Sequence, residues 1–236
     1  MSPSFSSSEP SEREFPNLTS ADPGENFEIR QTSKSEDYHP DPSRSLPLSR
    51  ARQELIDDII ALYSCQPTVD RVKRYTPDCV YDDQFVYAND RYKMAGQWFA
   101  LPKLFNESKN EGYEIVVNKR DLIQFRNEQS WTFRGIPKTA TINAIVSLSL
   151  DPDSVDAVDQ NGGKGFLQVK YHKDQANEKD YSHEGLGFDF KKWQADTVVK
   201  HMDDERLKEF EADKGAEKTG VKRHGSGTAN APVKDL

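Results

Sequence analysis

The sequence predicts an α+β fold, and three observations predict it. An amphipathic helical repeat opens the patterned part of the chain, a succession of alternating apolar and polar runs follows, and a second helical stretch closes it. Helices placed before and after the strands, and not between each strand and the next, point to an antiparallel sheet with helices gathered on one face.

Leu55, Ile59 and Leu62 recur at i, i+4 and i+7 with Ile56, Ile60 and Tyr63 beside them, while Arg52, Glu54, Asp57 and Asp58 supply the polar side of the first helix. Pro67 breaks it. Thr68 can cap a short second helix that runs to Tyr75 and stops at Pro77, and a brief strand is expected at residues 79–81. A loop rich in Asp and Asn leads through Gly96 to a third helix carrying Trp98, Phe99, Leu101, Leu104 and Phe105, with Pro102 suited to its first turn. Short strands are then expected at residues 114–117, 122–125 and 130–133. In the longest run, 141–150, Ile142, Ala144, Val146, Leu148 and Leu150 share a face that must be buried. Residues 151–165 read as a polar, Gly-rich connection. From 166 to 174 alternation resumes, with Leu167, Val169 and Tyr171 on the apolar side and His172 and Asp174 opposite. A closing helix is expected at 184–202.

Composition limits how much of the chain can pack. Of 236 residues 34% are hydrophobic and 31% charged, with a net charge of -8, and the mean hydropathy is -0.87. One core between unpacked ends follows: a disordered tail at 1–46, a domain at 47–202, and a charged, mostly disordered tail at 203–236. The acidic balance argues against nucleic-acid or anionic-membrane partners, whose phosphates call for Lys and Arg. Two cysteines, Cys65 and Cys79, support neither a disulfide framework nor a cysteine-rich zinc site. With no apolar leader at the start, a cytoplasmic setting is expected; the basic triplet Lys222, Arg223, His224 leaves a nuclear one open beside the plainer reading of a solvated tail.

The element order, with the segments RYTPDCVYDDQF, DRYKMAGQWFALPKLF and YHKDQANEKDYSHEGLG, resembles the nuclear transport factor 2-like superfamily, including SnoaL-like and ketosteroid-isomerase-like proteins, and more closely a eukaryotic branch of it. The resemblance covers about residues 48–202. It implies a nuclear transport factor 2-like (cystatin-like) cone, in which a curved sheet and helices enclose a pocket, often in a homodimer joined through the outer sheet face. The superfamily holds enzymes, ligand binders and protein adaptors, so fold alone does not choose among them.

Asp83 is the sharpest chemical candidate. The resemblance places it at the general base of the isomerase-like members, and its neighbour Asp82 would raise its proton affinity by repulsion. Gln84 replaces the proline usual after that base, and Ile59 and Val146 fall where the steroid isomerases carry a phenol and a protonated carboxylic acid, which disfavours steroid-type isomerisation. The plainer reading is that Asp82 and Asp83 hold a turn. Tyr81, Asp82, Trp98, Val146 and Tyr171 are expected to line the pocket, Lys173 to offer its rim a cation, and His183 to sit over its mouth or to anchor a loop. The cluster from Tyr171 to Glu184 is rich in His and carboxylate, but no ligand spacing identifies a metal site, and a salt-bridge network accounts for the same residues. No cofactor is implied. Two classes of function follow: a pocket for a small apolar or anionic metabolite, with or without proton transfer by Asp83, or a noncatalytic dimeric interaction module.

Overall fold

A computed structural model describes residues 39–135, 138–176 and 185–216, with side chains from 190 onward in the last segment. Its helices are α1 (Arg50–Tyr63), α2 (Val69–Val72), α3 (Arg91–Leu104), α4 (Pro152–Gln160) and α5 (Gly185–Lys200). Its strands are β1 (Tyr75–Asp82), β2 (Tyr87–Ala88), β3 (Phe105–Asn118), β4 (Leu122–Phe133), β5 (Thr139–Leu150) and β6 (Val169–Ala176). They form one curved sheet in the order β2-β1-β6-β5-β4-β3, antiparallel except where β1 runs parallel to β6. The α+β class is as expected; α1 and α3 lie over one face of the sheet, and α5 packs on α3 and around the edge strand β2.

α1 buries Ala51, Leu55, Ile56, Ile59, Leu62 and Tyr63, the stripe the periodicity marks. Asp90 caps α3 by accepting from Lys93 N at 2.7 Å. Close packing of α3 on α5 depends on Gly96, where a Cβ would stand 2.6 Å from Val199 Cγ2. The expected strands at 122–125 and 130–133 are one strand, β4, whose pairing with β5 runs without a break.

Several expectations need correcting. Pro77 lies inside β1, not after a helix; it is exposed in a stretch where the β1–β6 register shifts, so no ladder bond there needs its missing N–H. Pro102 sits in the last turn of α3, not the first. The polar connection after β5 contains α4, opened by an Asp151 cap and Pro152 and burying Val155 and Val158.

The folded unit also exceeds 47–202. Residues 39–46 run along the free edge of β3, where Leu46 N donates to Ile115 O and Ile115 N to Ser45 Oγ, each at 3.0 Å. This covers backbone that a sheet edge would otherwise expose. At the other end a 3₁₀ helix, Glu205–Asp213, folds onto α3. Phe210 is fully buried against Phe99, and Arg91 holds Asp213 at 2.7 Å. The first segment is held by hydrogen bonds to the sheet edge, and the second by the side chains it buries, Leu207 and Phe210.

Candidate functional site

Between the sheet and the three helices lies a cavity of about 450 Å³. Its sheet wall is built from one face: Asn127, Gln129 and Trp131 of β4, paired with Ala144, Ile142 and Ala140 of β5, and then Asp174 and Ala176 of β6. Tyr63 from α1, Trp98 from α3 and Gln194 from α5 supply the helical wall. Phe85, Leu104 and Phe133, all exposed, stand at the mouth.

Which β6 side chains reach this cavity is decided by a bulge. Leu150 pairs with Val169 and the preceding Ser149 with Tyr171, so one step of β5 spans two steps of β6 and Lys170 is the extra residue. Side chains beyond it exchange faces. His172, paired with Leu148, and Asp174, paired with Val146, therefore turn toward the helices, whereas strict alternation would have turned them away. Tyr171 and Lys173 go to the opposite face.

Of the expected pocket residues, Tyr81, Asp83 and Trp98 line the cavity. Val146 shares the face but is fully buried in solid core. Tyr171 packs with Val80 and Tyr87 on the far side of the sheet. There Asp82 is fully buried, with Lys173 Nζ at 2.7 Å and Lys191 Nζ at 2.6 Å. Lys173 thus offers no cation to the cavity rim, and Asp82 is part of a buried ion cluster. His183 lies outside the described residues.

Asp83 lines the cavity and also holds the turn that follows β1. Its Oδ1 accepts from Phe85 N and Val86 N, both at 2.6 Å, and its Oδ2 from the Tyr81 hydroxyl at 3.0 Å. Burial pushes its carboxyl up, and those donors, with the Lys191 charge, push it back. Asp174 is the less satisfied carboxyl. Its Oδ2 accepts from the Tyr63 hydroxyl at 2.6 Å, and its Oδ1 has no hydrogen-bond partner among the described residues. Burial and then the charge of Asp83 raise Asp174 to about 7. The pair of interacting carboxylates is therefore Asp83 with Asp174, across β1 and β6, and not Asp83 with Asp82.

Behind Asp174 is His172, fully buried and lowered to about 3 by that burial, so it is a neutral imidazole. Its Nε2 is 3.0 Å from the Tyr63 hydroxyl and its Nδ1 2.9 Å from that of Tyr75. Tyr81 meets its ring edge-on with centroids 4.8 Å apart, and Tyr75 stacks on it at 5.9 Å. Burial raises all three phenols well above their ordinary range, and they keep their protons. Sequence reasoning missed Tyr63 and Asp174 as site residues. Tyr63 is one helical turn beyond Ile59, and Asp174 directly faces Val146, so a phenol and a proton-bearing carboxyl do stand beside the two positions where the resemblance showed apolar residues. The i+4 spacing was open to inspection; the β6 exchange of faces was not. Among the described residues, no three His, Cys, Asp or Glu side chains gather as a metal site.

No protein-family model and no curated protein matches the chain. Among solved structures it is similar to a hypothetical protein with ketosteroid isomerase-like fold from Catenulispora acidiphila in complex with trimethylamine, at 10% identity over 51% of this chain and 83% of that one, TM-score 0.39. It is also similar to an NTF2-like protein from Anabaena variabilis, at 7% identity over 56% and 92%, TM-score 0.43. A putative scytalone dehydratase from Novosphingobium aromaticivorans is similar at 11% identity over 54% and 82%, TM-score 0.41. The described architecture is a curved, mixed six-stranded sheet packed with helices, of the α+β class that the sequence predicts.

Proposed function

We propose that this domain binds a small, largely apolar molecule whose polar group reaches Asp174. The observation that carries the reading is the Asp174 Oδ1, without a hydrogen-bond partner among the described residues, on the wall of a cavity that is otherwise mostly aromatic and aliphatic. A volume of about 450 Å³ falls within the range of small-molecule sites. An apolar body buried there gains from desolvation, and one polar group orients it.

Proton exchange with the bound molecule is the second part of the proposal. A carboxyl poised at about 7 is matched to both accepting and giving a proton near neutrality. The Tyr63 and Tyr81 hydroxyls already donate to Asp174 and Asp83, so neither is free to hold a developing oxyanion, and steroid-type isomerisation stays disfavoured. Asp83 serves instead as the fixed charge that raises Asp174.

Thermal-shift screening of a metabolite library against wild type, Asp174→Asn and Asp83→Asn tests this reading. Hits are expected whose stabilisation falls sharply in Asp174→Asn and less in Asp83→Asn. Hits that stabilise wild type and Asp174→Asn equally would remove Asp174 from recognition.

A further inference from the structure

The buried hydrogen bonds behind Asp174 form a chain: Asp174 Oδ2, the Tyr63 hydroxyl at 2.6 Å, His172 Nε2 at 3.0 Å from that hydroxyl, and the Tyr75 hydroxyl at 2.9 Å from Nδ1. Each phenol has one proton to donate, and a neutral imidazole has one N–H and one lone pair. The far end decides the direction of the whole chain. Tyr75 is fully buried, and among the described residues the one acceptor within hydrogen-bond distance of its hydroxyl is His172 Nδ1. Near it also are the Trp98 indole N–H, a donor, and the Cys79 thiol, whose hydrogen goes to Met94 Sδ and whose sulfur is a much weaker acceptor than an imidazole nitrogen. A buried hydroxyl proton without an acceptor costs about 1–3 kcal/mol. Tyr75 therefore donates to Nδ1, the imidazole proton sits on Nε2 and is given to Tyr63, and the Tyr63 proton is left for Asp174 Oδ2.

We infer that His172, held in its Nε2–H tautomer by Tyr75, is a positioning residue that commits Tyr63 to Asp174 Oδ2, so that Asp174 gains and loses its proton at Oδ1, the oxygen left free for the cavity. With Oδ2 always accepting, the ionised carboxylate presents an acceptor to a ligand and the protonated carboxyl presents an O–H donor. A side chain with both oxygens free would divide its proton between them. The site so built suits a molecule with a hydroxyl or amine, which can donate to the carboxylate or accept from the carboxyl, and takes a carbonyl in the protonated form alone. This deepens the proposed function and rests on its placement of Asp174 in the cavity.

The charged and titratable groups around Asp174 are Asp83 after β1, Asp82, Tyr81 and Tyr75 on β1, Lys173 and His172 on β6, and Tyr63 from α1. β5 opposes it with Val146, which does not titrate. The tautomer of His172 separates the chain direction from these charges.

The test is long-range proton–nitrogen NMR of His172 in the full-length protein from pH 5 to 9, with the Asp174 carboxyl carbon followed in parallel. The Nε2–H tautomer is expected throughout while Asp174 titrates with a midpoint of about 7. Removing the Tyr63 donor with Tyr63→Phe should raise that midpoint by about one pH unit, tenfold in proton affinity. His172→Phe should raise it part of the way. An Nδ1–H tautomer, a tautomer that switches as Asp174 titrates, or a midpoint unmoved by Tyr63→Phe would overturn the inference. The wild-type tautomer is read without any variant, so misfolding of a variant does not shield the idea. The spectra are taken without ligand, so failure here leaves the ligand screen standing, and a failed screen leaves the tautomer result standing.

Discussion

Asp82 and Asp83, adjacent in the chain, point to opposite faces of the sheet and differ in the charge of their partners. Asp82 shares its two oxygens between the ammonium groups of Lys173 and Lys191, with the Tyr171 hydroxyl at 3.3 Å, and Asp83 spends its own on backbone N–H groups and a phenol. Replacing Asp82 by Asn removes the charge shared by two buried lysines and is expected to cost about 3–5 kcal/mol. Asp83→Asn keeps an acceptor for the turn and should cost nearer 1 kcal/mol. Chemical denaturation of both variants measures the difference; equal losses would contradict the assignment.

The pH dependence of stability should contain two opposed slopes. Folded Asp174 keeps its proton to about pH 7, whereas an ordinary aspartate loses it near 3.8. Folding takes up a proton between those values, so its stabilising contribution is complete at low pH and is lost as pH rises toward 7. His172 runs the other way: its folded value of about 3 lies below the ordinary 6.5, so its contribution is present above 6.5 and lost as pH falls toward 3. Each slope is at most about 1.4 kcal/mol per pH unit, and between pH 4 and 6.5 they offset. Asp174→Asn should therefore make stability rise more steeply with pH over that window, and His172→Phe should make it fall. Denaturation midpoints at pH 4.5, 5.5 and 6.5 decide it; slopes unchanged in both variants would refute the pairing.

Gly96 is expected to resist the usual benefit of alanine in a helix. Its Cβ would strike a β-branched side chain of fixed rotamer, Val199, at 2.6 Å. Gly96→Ala should cost about 1–3 kcal/mol, and adding Val199→Ala should return part of that loss. A double-mutant cycle with no coupling would show that α3 and α5 can separate freely.

Phe210 tests the extended C-terminal boundary. It is fully buried under α3 beside Phe99, with the Arg206 guanidinium 4.3 Å over the Phe99 ring. Phe210→Ala should cost about 3–5 kcal/mol in a thermal or denaturant melt. A loss below 1 kcal/mol would mean that the segment is an appendage.

Much of the scaffold was legible because it repeats. The α1 stripe from Leu55 to Leu62 and the β5 face from Ile142 to Leu150 each carry one period over a long stretch, and the structure buries both but for Ile142, which is half-buried at the cavity. Features made by a single residue were hidden. Lys170 contributes no distinctive side chain, yet as the extra residue of β6 it moves Asp174 into the cavity and Lys173 out. Pro77 reads as a helix stop because nothing local shows that β1 and β6 leave that position unpaired. The start of α4 was readable in principle from Asp151, Pro152 and the Val155–Val158 pair, but the glycines after it dominate the local composition.

Lys170 also determines the sign of the electrostatic field inside the hollow. Drawing Lys170 into the ladder opposite Ser149, in place of its unpaired position, would shift the pairing by one residue and bring the Lys173 ammonium to the wall opposite Val146, turning an interior suited to donors and cations into one suited to anions. The charge of such an interior can thus change through the loss of one bulge, with every chemical group that the change needs already in the chain.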